Sequence, residues 1–140
     1  MDWKEETCVI VLDGSLPLGV LANAAAILGI TLGKKLPEAV GEDVADGSGR
    51  VHPGIIAFPV PVLRGTQESL QELRERLYQP EFQDLFTADF SELAQGCKTY
   101  EEYVETMGQA PGGGLRYLGV AVCGRRKKVK HLTGRMPLLR

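Results

Sequence analysis

The chain has 140 residues, the length of one domain, which is enough to bury a hydrophobic core unaided. Its 44% hydrophobic residues, 24% charged residues and net charge of -2 exclude disordered, collagen-like and membrane-embedded classes. The three cysteines form no C-x-x-C pair, so we expect neither a disulfide framework nor a zinc site, and no cofactor. The charged N-terminus and the cysteine usage predict a cytoplasmic protein that spans no membrane.

The most distinctive stretch is LPLGVLANAAAILGITLG, at residues 16–33, in which Asn23 is the only polar side chain before Thr31. Its length predicts a helix of about four to five turns. A helix that is apolar on every side is normally covered on most sides. We therefore predict a buried core helix rather than a membrane span, which needs roughly 20 apolar residues.

Strand-like segments occur on both sides of this helix. Residues 7–12 are a continuous apolar run, typical of a central strand covered on both faces, and residues 115–123 are predicted to form a second strongly apolar strand. Residues 55–63 contain two prolines in i and i+2 positions, Pro59 and Pro61, whose missing N–H groups face one side. This predicts an edge strand that is open on the proline side. Two weaker patterns predict a hairpin at 44–51 around an Asp-Gly turn and another strand at 84–89.

The remaining segments favour helices. Thr66 and Thr99 are predicted N-caps of amphipathic helices, and a basic helix is predicted over 125–133 with Val129 and Leu132 facing inward. One or two helical turns are predicted over 90–96. Apolar strands that alternate with helices predict one α/β domain over residues 1–140, with a mostly parallel or mixed sheet.

Several short motifs make the chain resemble a bacterial family known mainly as a domain of unknown function. They are VIVLD at 9–13, LPLG at 16–19 with the following Asn23, GI at 54–55, YLGVA at 117–121, LTG at 132–134 and LL at 138–139. The resemblance covers nearly the whole chain. It implies the peptidyl-tRNA hydrolase II-like fold, a three-layer α/β/α sandwich on a mixed, mostly parallel four-stranded sheet.

The chain also has a weaker similarity to the peptidyl-tRNA hydrolase II group itself. Asn23 is similar in position to a glutamine of that group, and the LTG at 132–134 is similar to its V-T-G motif. The active-site lysine has no counterpart, because Gly19 or Val20 stands there. Residues 111–115 occupy the place of the D-A-G-R-T motif. The similarity therefore supports the fold more directly than it supports esterase activity.

A ligand crevice is predicted where the first strand ends. Asp13 ends that strand, and the start of the next helix offers free N–H groups to an anion. If the last strand is parallel and adjacent to the first, Arg125 and Arg126 emerge at the same edge. The candidate catalytic residues are Asp13, Asn23 and His52. The candidate ligand-binding residues are Asp13, Ser15, Asn23, Tyr117, Arg125, Arg126 and Thr133.

A plainer role stays open for several of these residues. Asp13 can serve as a turn residue, His52 as a surface histidine, Tyr117 as a core residue, and Asn23 as a buried amide bonded to a neighbouring loop. No acidic residue follows Glu105, so the basic C-terminal part is either a footprint for phosphate or nucleic acid or a solvated helix face.

Two functions remain in view. The first is a homodimeric binding module for a small anionic or phosphate-bearing ligand, or for tRNA. The alternative is a peptidyl-tRNA hydrolase-like esterase that acts on N-acyl-aminoacyl esters.

Overall fold

The computed structural model describes residues 2–140, whose largest feature is a four-stranded sheet in the order β4-β1-β6-β5. The strands are β1 (Glu6–Asp13), β2 (Val44–Ala45), β3 (Val51–His52), β4 (Val62–Gly65), β5 (Phe86–Ser91) and β6 (Tyr117–Arg125). The helices are α1 (Leu18–Lys35), α2 (Gln67–Leu77), α3 (Glu92–Gly96), α4 (Tyr100–Gln109) and α5 (Arg126–Thr133). Strands β2 and β3 form the predicted hairpin apart from the main sheet.

The expectation of a mixed sheet is confirmed, but the expectation of a mostly parallel one is wrong. Only β1 and β4 pair in parallel, whereas β6 is antiparallel to both β1 and β5. The reason is the path between β5 and β6. The Glu92 N–H, just after β5, donates to the Arg116 carbonyl just before β6, at 2.8 Å. The chain therefore re-enters the sheet at the end where it left, which reverses its direction.

Alternation along the central strands directs two sets of apolar side chains to opposite faces of the sheet. Cys8, Ile10 and Leu12 of β1 pack with the inner side of α1. Val9 and Val11 belong to the other face, which packs against α2 and α5. The apolar strand patterns of β1 and β6 are thus confirmed, because both faces of these strands are covered.

Helix α1 forms as predicted, but the expectation that it is covered on most sides is wrong. Ala24, Leu28 and Leu32 are buried, whereas Leu18 is 82% exposed and Ile30 is 74% exposed. The sheet covers one side of the helix, and few other segments reach its outer side. By length and composition alone α1 could cross a membrane, which is weak evidence because core helices of globular proteins pass the same test.

Strand β4 lies at an edge of the sheet, as the prolines indicate, but its outer side is not open. The Arg64 N–H donates to the Pro137 carbonyl at 2.7 Å, and the Leu139 N–H donates to the Val62 carbonyl at 2.9 Å. The C-terminal segment therefore covers the outer edge of β4. The Pro61 carbonyl accepts a hydrogen bond from the Ile10 N–H at 3.0 Å and so faces β1, and the expectation of an edge open on the proline side is wrong. The prolines precede β4, which begins at Val62.

The predicted helix caps are confirmed. The Thr66 hydroxyl accepts a hydrogen bond from the Ser69 N–H at 3.0 Å, and the Thr99 hydroxyl accepts one from the Glu102 N–H at 3.1 Å. In α5, Val129 and Leu132 are buried as predicted. The short helix expected over 90–96 and the strand expected over 84–89 both form, with shifted boundaries.

The expectation that the cysteines form no disulfide is wrong in this structure. Cys8 and Cys123 lie directly opposite each other on β1 and β6, with Cα atoms 4.1 Å apart, and their sulfurs are bonded. Cys97 is a free thiol. The pairing depends on the direction and register of β6, which the spacing of the cysteines does not reveal.

Candidate functional site

The turn between β1 and α1 contains a buried carboxylate that is only half satisfied. Asp13 is 2% exposed, and its Oδ1 accepts hydrogen bonds from the Ser15 N–H at 3.0 Å and the Ser15 hydroxyl at 2.7 Å. Its Oδ2 is buried and has no hydrogen-bond partner within residues 2–140. A buried carboxylate oxygen normally has a donor. This oxygen is therefore the polar atom of the turn whose hydrogen bonding within the described residues is incomplete.

Arg64 lies beside this turn. Parallel pairing places Arg64 of β4 opposite Leu12, and a Cβ atom added at Gly14 would stand 2.5 Å from the Arg64 Cγ and 2.6 Å from its Nε. The side chain therefore lies directly over Gly14. Arg64 is exposed and forms no ion pair with a carboxylate in the described part of the chain. The turn thus combines an unpaired cation with a half-satisfied carboxylate.

The start of α1 adds further donors. Pro17 is the N-cap residue and supplies no side-chain hydrogen bond, and the first N–H with a partner in the helix is that of Leu21. The N–H groups of the first turn, at residues 18–20, are therefore free to bind a ligand. The helix dipole places partial positive charge there. An anionic group between Arg64 and this helix end would meet favourable charge on both sides.

The structure separates the predicted Arg125 and Arg126 from this turn. Arg125 and Arg126 lie at the opposite end of the sheet, because Arg125 pairs with Glu6 at the start of β1. The expectation that they share an edge with Asp13 is therefore wrong, and its cause is the antiparallel direction of β6. The Arg126 side chain reaches the Glu6 carbonyl at 3.4 Å instead.

Asn23 and His52 are both exposed. Asn23 lies on the outer side of α1, so the expectation of a buried amide is wrong. The His52 Nε2 lies 3.0 Å from the Asp46 Oδ2 within the β2–β3 hairpin. This contact, together with the N–H groups of Ser48 and Arg50, lowers the pKa of Asp46. These contacts give His52 a structural partner in its own hairpin.

Tyr117 and Thr133 lie on the side of the sheet that α2 and α5 cover. Thr133 is buried, and its hydroxyl donates to the Val129 carbonyl at 2.8 Å. Tyr117 is also buried, at the same end of the sheet as Asp13, and borders a cavity of about 510 Å³ beside α2. Burial raises the pKa of Tyr117 to about 12, and the charge of Asp89 adds to the rise. Both side chains are therefore packed in the core, and their predicted role in ligand binding stays a prediction.

Of the predicted residues, the turn brings together Asp13 and Ser15. Arg64 was missed, because its place beside Gly14 depends on the parallel pairing of β4 with β1. Within residues 2–140 no group of three or more His, Cys, Asp or Glu residues could hold a metal ion.

Comparison with known proteins identifies a family and a shared fold for the chain but no activity. A solved structure of Atu0240, a protein of unknown function from Agrobacterium tumefaciens strain C58, is 21% identical to the chain. It superposes with a TM-score of 0.86, over 96% of this chain and 97% of that one, which shows a shared fold. No curated protein sequence matches the chain. The model of the DUF2000 family, described as a protein of unknown function, matches residues 6–140. The chain therefore belongs to the DUF2000 family.

Proposed function

We propose that the turn between β1 and α1 binds a small ligand that carries an anionic group next to a hydrogen-bond donor. The observation that carries this proposal is the buried Oδ2 of Asp13, which has no partner within residues 2–140. An unmet hydrogen bond of this kind costs about 1–3 kcal/mol. A ligand N–H or O–H that reaches Oδ2 would recover that energy.

The charges at the turn narrow the chemistry of the ligand. A purely anionic molecule would be repelled by the Asp13 carboxylate, so its donor must face Asp13 while its anionic group faces Arg64 and the start of α1. An N-acyl amino acid has this pattern, since an amide N–H and a carboxylate are attached to the same carbon. A phosphate-bearing ligand with a neighbouring N–H or O–H satisfies it as well.

Calorimetric titration with N-acetyl-leucine tests the proposal, and its methyl ester serves as the ligand without the anionic group. We expect the acid to bind more tightly than the ester, and Arg64→Gln to weaken binding about tenfold, as for the loss of a charge-assisted hydrogen bond. Arg50→Gln, in the exposed hairpin, is the matched control and should leave binding unchanged. Equal binding of acid and ester, or equal effects of the two arginine variants, would count against the site.

The esterase remains the second candidate, favoured by the same half-satisfied carboxylate at the end of β1. We expect any hydrolysis of N-acetyl-aminoacyl-tRNA to be lost in Asp13→Asn, and no turnover above background in the parent protein excludes this activity. Packing of α1 on one face of the sheet and of α2 and α5 on the other supports the three-layer peptidyl-tRNA hydrolase II-like fold as a proposal.

We propose further that a second copy covers the outer side of α1. This side presents Leu18 and Ile30 to solvent beside small residues, and apolar faces of this kind are typical of interfaces between subunits. A two-fold axis across α1 would make such a face its own partner. A cytoplasmic location is also retained as a proposal, although the Cys8–Cys123 disulfide would be unusual in that compartment.

A further inference from the structure

The two edge strands of the main sheet differ in whether their outer main-chain groups are hydrogen-bonded. The C-terminal segment covers β4, whereas β5 forms the other edge. Within the described residues, the main-chain groups of residues 86–90 form no hydrogen bonds except those of the ladder with β6. An open edge of this kind can pair with another extended chain.

The register identifies which groups of β5 point outward. The Ile10 N–H donates to the Pro61 carbonyl on the β4 side, so Ile10 and its partner Ala121 are a pair without mutual hydrogen bonds. Ala121 must therefore direct its N–H and C=O groups toward Ala88 of β5. Because these directions alternate along a strand, Thr87 and Asp89 turn their N–H and C=O groups away from the sheet.

This edge is the floor of a groove. A cavity of about 510 Å³ is bordered by residues 86–90, by Ile27, Thr31 and Lys35 of α1, and by residues 97–100 and Tyr103 at the start of α4. Its size falls in the range of small-ligand and peptide sites. The groove therefore presents an unpaired strand between two helical walls.

Helix α4 forms its wall with an apolar side that lacks a partner. Tyr100, Tyr103, Val104 and Met107 follow i, i+3, i+4 and i+7 spacing, the pattern of a helix side that is normally buried. None of them is buried, and Tyr100 is 74% exposed. An occupant that lies beside α4 would bury part of this side.

The charge of the groove favours an acidic occupant. Lys35 and Lys98 border it, and neither forms an ion pair within the described residues. The carboxylate that borders it, that of Asp89, accepts a hydrogen bond from the Arg74 Nε at 2.8 Å. The free charge of the groove is therefore positive.

We propose that this groove binds an extended acidic peptide segment of another protein, which adds to β5 as a fifth strand. Main-chain hydrogen bonds to Thr87 and Asp89 would hold the segment. Its apolar side chains would contact Tyr103 and Ile27, while its carboxylates would meet Lys35 and Lys98. A second copy of β5 is a poorer occupant, because two-fold pairing would bring the lysines of both copies together. This site is separate from the turn at Asp13.

The probe is an acetylated and amidated hexapeptide with the sequence Val-Val-Glu-Glu-Val-Val, in which each face of the extended chain carries both residue types. In the free protein we expect the Thr87 and Asp89 amides to exchange with deuterium faster than the Ala88 amide, by NMR. The peptide should slow exchange at Thr87 and Asp89. The same peptide with lysine in place of glutamate should bind more weakly, and N-methylation of alternate residues on the side facing β5 should abolish binding of the glutamate peptide.

The matched variants are Lys35→Glu, in the groove, and Lys34→Glu, exposed and outside it. We expect Lys35→Glu to raise the Kd for the glutamate peptide about fivefold, as for an exposed ion pair, and Lys34→Glu to leave it unchanged. Failure of the glutamate peptide to slow exchange at Thr87 and Asp89 would overturn the proposal. Equal affinity for the lysine peptide would do the same. So would slow exchange at both amides in the free protein that is lost on dilution, because a second copy would then occupy the edge.

Discussion

The packing of α1 can be tested by adding one methyl group on its inner side and one on its outer side. A Cβ atom at Gly119 of β6 would lie 2.6 Å from the Leu12 Cδ2, 2.9 Å from the Leu28 Cδ1 and 3.2 Å from the Val11 carbonyl oxygen. Leu12 and Leu28 are each 1% exposed, so neither can move aside into solvent. Gly119→Ala should therefore lower the free energy of unfolding by about 1–3 kcal/mol, the usual cost of overpacking.

The control substitution is on the other side of the helix. A Cβ atom at Gly29 meets no atom within 4 Å. Alanine is favoured over glycine inside a helix by about 0.8–1 kcal/mol, so Gly29→Ala should raise the free energy of unfolding by up to that amount. Two additions of the same methyl group thus have opposite expected signs, because one position is enclosed and the other is open.

Urea unfolding followed by circular dichroism measures both effects, provided that the slope with denaturant concentration is unchanged. At this chain length each kcal/mol corresponds to roughly 3 °C in Tm. A change below about 0.5 kcal/mol for Gly119→Ala would refute the proposed contact between α1 and β6, since unconstrained surface sites give values of that size. A clear loss of stability for Gly29→Ala would show that this position is enclosed, either by this chain or by the second copy proposed above.

Three further predictions concern the core, the disulfide and assembly. Burial raises the pKa of Tyr117 from the ordinary value of 10 to about 12. The neutral phenol therefore stabilises the folded protein fully below pH 10, and this stabilisation is lost as the pH rises toward 12. Unfolding titrations should show at most about 2–3 kcal/mol of this loss, and Tyr117→Phe should remove it. The Cys8–Cys123 bond closes a separation of 115 residues, so reduction should lower the free energy of unfolding by up to roughly 5 kcal/mol; a thiol assay of the unfolded protein should find Cys97 alone before reduction. Light scattering should give the mass of a dimer for the parent protein and of a monomer for Ile30→Glu, and equal masses would exclude an α1 interface.

The elements that depend on neighbouring residues were predictable from the sequence. Thr66 and Thr99 cap helices because a hydroxyl at the N-cap can reach the N–H three residues later, whatever the rest of the chain does. The apolar runs of β1 and β6 were predictable because each buries both faces. Asp13 and Ser15 were predicted together because their contact spans two residues of one turn.

Features that depend on the direction of distant strands were not predictable. The position of Arg125 follows from the antiparallel entry of β6, which is set by the path of the chain through α3 and α4. Cys8 and Cys123 meet for the same reason. Arg64 reaches Gly14 because β4 pairs in parallel with β1. In each case the residue type gave no signal until the strand order was known.

The exposure of α1 shows a different limit of sequence patterns. An apolar residue such as Ile30 reports a preference for burial, but it does not specify whether its own chain or another molecule provides the cover. The sheet is wide enough to contact Ala24 and Leu28 on one side of the helix. Since few other segments pack beyond it, the remaining apolar side is a surface of the monomer.

Asp13, like Glu6, has a buried carboxylate oxygen without a hydrogen-bond partner in the described residues, and stability alone does not explain it. Its unmatched Oδ2 costs about 1–3 kcal/mol, a large share of the 5–15 kcal/mol that stabilises a typical domain. Serine at this position could cap the same turn without burying a charge. This cost agrees with the ligand-binding role that we propose for the carboxylate, because departures of this kind are concentrated at functional sites. If Asp13→Ser raises the free energy of unfolding and abolishes binding of N-acetyl-leucine, the loss of stability and the binding function reside in the same carboxylate.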